Sequence, residues 1–205
     1  GGKSANIVCA DCPDLDKAVA SAIGSIYFNQ GESCNAPSRL FVEASIKEAF
    51  LEKALKMIPD FAPGDPLDEA TVMGAIVDPI QMKTVLGYIE AGSAGGARLL
   101  AGGRGARVDS GGLYIEPTLF DGVEQSMRIA REEIFGPVLS VLSFTDLDEA
   151  VRQANATPYG LAAGLWTADL SKAIRTSRAL RAGTVHVNTY DNDDITVPFG
   201  GYKQS

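Results

Sequence analysis

The sequence predicts an α/β fold, a largely parallel sheet with helices on both faces. Three observations lead to it. Short apolar runs alternate with longer stretches whose apolar residues recur every three or four positions, the pattern of strands alternating with amphipathic helices. Glycine, proline and capping aspartate separate the two kinds of segment. At 205 residues the chain can bury one sizeable core, and we read a single domain over 1–205.

Asn6-Ile7-Val8-Cys9-Ala10 reads as a buried strand. Asp14 or Asp16 is placed to cap a helix with Leu15, Val19, Ala22, Ile23 and Ile26 on one face, and Gly31 stops it. Arg39-Leu40-Phe41-Val42-Glu43 is a second strand. Ser45 then caps a helix presenting Ile46, Ala49, Phe50, Ala54, Leu55 and Ile58, which Pro59 ends. Residues 60–69 form a surface loop. Asp78-Pro79 opens a helix through Met82, Val85, Leu86 and Ile89, ended by Gly92 to Gly96, and Arg98-Leu99-Leu100-Ala101 is a strand.

The glycine-rich passage from Gly102 to Gly112 has the look of a phosphate loop. It leads into strand-like Tyr114-Ile115-Glu116-Pro117-Thr118-Leu119 instead of a helix, so we read a hairpin or exposed loop. A short helical turn between Ser126 and Glu133 precedes a strand from Val138 to Phe144. Asp146 caps a helix through Ala150, Val151 and Ala154, and Tyr159 to Trp166 returns as a strand. Asp169 caps the last helix, which Gly183 ends before Thr184-Val185-His186-Val187-Asn188. There is no repeat and no low-complexity segment.

A net charge of -8 and a pI near 4.7 leave no basic footprint for nucleic acid, and no Lys/Arg cluster suits an anionic membrane. No apolar run approaches the ~20 residues of a membrane span, and no basic-then-apolar leader opens the chain, so the expectation is a cytoplasmic protein. Three cysteines make no disulfide framework. Cys9 and Cys12 are spaced as in metal sites, but zinc needs four ligands and His186 is the only histidine; we assign the pair no function and expect no metal.

Cys34 lies among the polar residues Glu32, Ser33 and Asn35, three positions after Gly31, and so reads as reachable from solvent. From composition alone it is a buried structural thiol, for a free cysteine is among the residues most often buried. The motif around it says more. Gly31-Glu32-Ser33-Cys34, preceded by Phe28-Asn29-Gln30 and followed by Asn35-Ala36-Pro37-Ser38-Arg39, resembles the active-site signature of the NAD(P)-dependent aldehyde dehydrogenases. Gly1-Gly2-Lys3-Ser4-Ala5-Asn6, Glu132-Glu133-Ile134-Phe135-Gly136-Pro137 and the closing Asn188 to Ser205, with its Pro198-Phe199-Gly200-Gly201, resemble three further blocks of that family.

The resemblance implies a Rossmann-like catalytic domain in which the Cys34 thiolate attacks an aldehyde and its backbone N–H is one oxyanion donor. It implies that Glu133 contacts the nicotinamide ribose of NAD or NADP and that Phe135 packs near the nicotinamide. Without the family, Glu133 reads as a solvated turn carboxylate and Phe135 as a core aromatic. Phe199 and Asp193 align with the wall of the aldehyde tunnel, and Ser33 and Asn35 add polar lining; Asp191 and Asp194 read as solvated loop residues. Together with Ser4-Ala5-Asn6, Asp11-Cys12-Pro13-Asp14-Leu15 and Thr196 to Ser205, the acidic run Asp191 to Asp194 looks like the bacterial branch that oxidises 4-(γ-glutamylamino)butanal, 4-guanidinobutanal and related aldehydes.

In the family the general base, the oxyanion asparagine and nearly all of the nucleotide-binding domain lie before the position of Gly1, and an oligomerisation segment follows that of Ser205. The expectation is a domain of a longer, homo-oligomeric enzyme, inactive by itself. Two rival readings are a stand-alone thiol hydrolase using Cys34 and His186, and a catalytically silent assembly domain.

Overall fold

The computed structural model describes residues 1–192 and 194–205. The first half runs β1 (Ala5–Val8), α1 (Leu15–Tyr27), β2 (Arg39–Glu43), α2 (Lys47–Met57), α3 (Pro79–Ala94) and β3 (Arg98–Ala101). The second runs β4 (Gly105–Ala106), β5 (Tyr114–Ile115), β6 (Thr118–Asp121), α4 (Arg128–Arg131), β7 (Val138–Phe144), α5 (Leu147–Asn155), β8 (Ala162–Trp166), α6 (Leu170–Ala179) and β9 (Thr184–Val187). Four aspartates start helices as the sequence suggests: Asp14, Asp78, Asp146 and Asp169 accept from the amides of Lys17, Gln81, Asp148 and Lys172.

Seven strands form one sheet in the order β3-β6-β7-β2-β1-β8-β9, parallel except for the edge pair β3 and β6. The central strands are buried on both faces, and strand alternation divides their side chains between two cores. Val8, Leu40, Val42, Leu139, Val141 and Trp166 pack with α1 and α2. Ile7, Phe41, Val138, Leu142 and Leu165 pack with α3, α4 and α5. The glycine-rich passage is the separate hairpin β4–β5, as its sequence suggests.

The first strand ends at Val8 instead of Ala10, β8 begins at Ala162 instead of Tyr159, the run from Tyr114 to Leu119 divides between β5 and β6, and three helix boundaries also differ from the sequence reading. α1 ends at Tyr27, and Phe28–Gly31 is a tight turn whose Asn29, Gln30 and Gly31 are left-handed. α2 begins after Ile46 with no cap from Ser45, and Phe50, Leu51, Ala54 and Ile58 are buried while Ala49 and Leu55 face out. Packing against α1 turns its buried stripe by about one position. α6 stops at Ala179, where Leu180 becomes extended and enters the core, before Gly183 is reached.

The register decides where the motifs go. Ala5 lies opposite Arg39 on one side and Ala163 on the other, and Arg39 lies opposite Ser140. The segments entering β1, β2, β7 and β8 therefore arrive side by side at the amino ends of four parallel strands. Ligands of open α/β sheets more often sit at the carboxyl ends.

Candidate active site

The turn Phe28–Gly31 delivers the chain from α1 to Cys34. Its left-handed residues are tied by their own side chains. Asn29 Nδ2 donates to the Glu32 carbonyl at 2.9 Å, and Gln30 Nε2 to the Glu32 carboxylate at 3.2 Å. The other Glu32 oxygen accepts from the Val77 amide at 3.1 Å, which anchors the turn to the segment before α3. Gly31 packs directly on the Gly136-Pro137 backbone.

Gly2 joins three of the four blocks. A Cβ there would stand 2.3 Å from the Cys34 carbonyl oxygen, so only glycine lets the opening segment lie flat on the cysteine turn. Its N–H donates to Glu133 Oε1 at 2.8 Å. Ser205 closes the ring: its hydroxyl donates to the Gly1 carbonyl at 2.7 Å and accepts from the Gly160 amide at 3.0 Å.

Cys34 is half-buried at this junction. Of the other two thiols, Cys9 is buried and Cys12 is half-buried. Burial pushes the Cys9 thiol up to about 12, and burial also raises that of Cys12. Both shifts disfavour the thiolate.

Glu133 is no freely solvated carboxylate, since Gly2 holds it; Phe135 is no core aromatic, being 38 % exposed. Phe135 is left-handed (φ 55°), and Gln81 Nε2 donates to its carbonyl at 2.7 Å and to that of Ile134 at 2.9 Å. A carboxylate for ribose hydroxyls and an uncovered ring for a flat heterocycle, both next to the Cys34 turn, suit the nicotinamide end of NAD or NADP.

The remaining expected residues divide. Asn35 is buried, and its amide is engaged within the protein: Oδ1 accepts from Ser33 Oγ at 2.7 Å and Nδ2 donates to Asp191 Oδ1 at 2.7 Å. Asp191 is thus a bonded, half-buried residue, not a solvated one. Asp194 is exposed and accepts from Thr196. Phe199 is exposed and lines an open cavity with Thr184, Val197 and Pro198 beside β9. Asp193 lies outside the described residues. His186 sits on β9 with its ring 5.0 Å from that of Tyr190, and among the described residues no hydrogen bond joins it to Cys34. Tyr190 and Asp191 are the site residues that sequence reasoning missed; the partner they share is 155 and 156 positions away.

Behind the junction two cations are buried. Arg39 donates to the carbonyls of Lys3, Gln153 and Ala154, taking two groups at the carboxyl end of α5. Lys3 is 1 % exposed, and its ammonium has no hydrogen-bond partner among the described residues. Burial, with Arg39 nearby, lowers the Lys3 pKa to about 7 although Glu133 and Glu132 oppose the shift.

A cysteine on a turn thus lies beside a glutamate held by the opening segment and an exposed aromatic ring. The model of the aldehyde dehydrogenase family matches residues 1–205, and the chain belongs to that family. It is 48% identical over 205 residues to the NADP/NAD-dependent aldehyde dehydrogenase PuuC of Escherichia coli, covering all of this chain and 41% of PuuC. Indole-3-acetaldehyde dehydrogenase AldA of P. syringae, solved with NAD+, superposes with a TM-score of 0.98 at 60% identity, covering 100% of this chain and 41% of that one. Gamma-glutamyl-gamma-aminobutyraldehyde dehydrogenase of Burkholderia cenocepacia gives 0.97 at 58% identity, with the same coverage. The chain thus spans about two fifths of the length of these relatives.

Proposed function

We propose that residues 1–205 are the cysteine-bearing catalytic domain of an NAD(P)-dependent aldehyde dehydrogenase, with Cys34 as nucleophile. The observation that carries this reading is the position of Gly2, which lies against the Cys34 carbonyl and donates to Glu133, so that nucleophile and cofactor contact share one small segment.

The Cys34 sulfur bonds to the aldehyde carbon as the carbonyl electron pair moves onto oxygen. The oxyanion faces the Cys34 N–H, which no hydrogen bond among the described residues takes. A nicotinamide cofactor, when bound beside Glu133 and Phe135, supplies the hydride acceptor. Once hydride has left the former aldehyde carbon and its C=O has re-formed, water adds to the resulting thioester and the C–S bond breaks, releasing the acid and returning the Cys34 thiolate while a base takes the remaining proton. The base for that water, the second oxyanion donor and most of the nucleotide site belong to other parts of the protein, which we read as a cytoplasmic homo-oligomer.

For the substrate we favour an ω-amino- or guanidino-type aldehyde. Its support is the acidic run from Asp191 to Asp194 and the likeness to PuuC and to the Burkholderia enzyme. AldA, named for an aromatic aldehyde, is as similar to this chain, so kinship alone does not choose. The experiment compares kcat/KM of the full-length protein for 4-guanidinobutanal, hexanal and indole-3-acetaldehyde. One partly desolvated carboxylate near the cationic tail is worth ~1–2 kcal/mol, about tenfold. We expect the guanidino aldehyde to lead by that factor and Asp193→Phe to narrow it. Preference for indole-3-acetaldehyde, or a ratio unchanged by Asp193→Phe, overturns the assignment.

A further inference from the structure

We propose that Asp191 is a positioning residue for the nucleophile, holding Cys34 through Asn35. The inference rests on the reading of Cys34 given above.

The residues on either side of Cys34 are bonded to each other: Ser33 Oγ donates to Asn35 Oδ1 at 2.7 Å. That bond alone makes a local loop free to rock. Asn35 is bound a second time, its Nδ2 donating to Asp191 Oδ1 at 2.7 Å, and a third time where Tyr190 OH donates to its carbonyl at 2.9 Å. An ionised carboxylate only accepts and a neighbouring hydroxyl can donate, so the two partners fix which end of the Asn35 amide points where.

The anchor itself is firmly seated. Tyr190 is buried against Gly164, where a Cβ would come within 2.5 Å of its ring, and lies beside His186. Asn188 extends the sheet by pairing its side-chain amide with Thr167, accepting from its N–H at 3.0 Å and donating to its carbonyl at 2.9 Å. Asn188 and Asp191 both take left-handed backbone (φ 55° and 57°), conformations in which Asn and Asp are enriched. A reversal fixed at both ends thus presents the Asp191 carboxylate to the residue after the nucleophile. A displacement of about 1 Å at a nucleophile can lower a rate about 10²-fold.

The test exploits the near-identical shapes of Asn and Asp in the full-length enzyme. Asn35→Asp sets two carboxylates against each other, and Asp191→Asn removes the charge-assisted bond. The double variant restores the bond with donor and acceptor exchanged. We expect Asn35→Asp to lower kcat and the rate of Cys34 alkylation by iodoacetamide at least about tenfold, with KM for NAD+ and thermal stability near wild type. The double variant should recover most of both losses. Single variants that match wild type, or a double variant no better than the worse single, overturn the proposal. If wild type itself oxidises no aldehyde, the functional reading fails instead, so the two failures are distinguishable.

Discussion

A Cβ on Gly31 would stand 2.1 Å from the carbonyl oxygen of Gly136, so the cysteine turn and the Glu-Glu-Ile-Phe-Gly-Pro block meet backbone to backbone. Gly31 also has a φ of 75°, where an L side chain is strained by about 1–2 kcal/mol before any clash is counted. Gly31→Ala should therefore destabilise the protein by more than that and lower turnover, because neither backbone can yield without moving Cys34 or Phe135. Chemical denaturation together with steady-state kinetics measures both effects; a wild-type denaturation midpoint and kcat would contradict this reading of the junction.

The three thiols make separate predictions. In the full-length enzyme Cys34→Ala should abolish aldehyde oxidation while NAD+ binding, followed by fluorescence, stays measurable. Cys9→Ala and Cys12→Ala should leave turnover near wild type, and iodoacetamide should label Cys34 first. Fast labelling of Cys34 also counts against a silent assembly domain. Loss of turnover in either of the other variants would mean that the wrong thiol was chosen.

The 205-residue polypeptide expressed by itself should form no NADH from propanal. Losing one oxyanion donor alone costs ~10²–10³ in rate, and the proposed reading places the second donor and the base for the hydrolytic water outside residues 1–205. Absorbance at 340 nm decides it, and turnover at an ordinary enzymatic rate would overturn the domain assignment.

Lys3 gives the fold a pH dependence of known sign. The folded pKa is about 7 against 10.5 for an exposed lysine, so between those values the unfolded chain binds the proton and the folded chain does not. Stability from this group therefore rises as pH increases from about 7 towards 10.5, by at most ~1.4 kcal/mol per unit; below pH 7 both states are charged and the burial penalty applies in full. Lys3→Met should flatten the denaturation midpoint between pH 7 and pH 9 and should not destabilise the protein at neutral pH. A wild-type slope in the variant would place the titration elsewhere.

Arg39 should behave in the opposite way. It satisfies the carbonyls of Lys3, Gln153 and Ala154 while wholly buried, and each buried acceptor left without a donor costs about 1–3 kcal/mol. Arg39→Met should destabilise by several kcal/mol and loosen both the entry to β1 and the end of α5. Hydrogen exchange of residues 1–5 and 147–155 checks the location; a change confined to other segments would contradict it.

The sequence by itself determined the local elements and marked the blocks on which the proposed site rests. Aspartates at helix starts, apolar periodicity and short β-rich runs act over a few residues, so α1, α3, α5, β2 and β7 could be read directly, and the Cys34 and Glu133–Phe135 blocks were legible as motifs. Tertiary packing decided what distance along the chain hides. It turned the buried face of α2, held Glu133 on Gly2, left Phe135 exposed, and made Asp191 the partner of Asn35 across 156 positions. The reason is the parallel register: strand periodicity says which face a side chain occupies, but only the alignment of β1, β2, β7 and β8 brings their entry segments to one edge, where single glycines and single hydrogen bonds between distant residues set the geometry around Cys34.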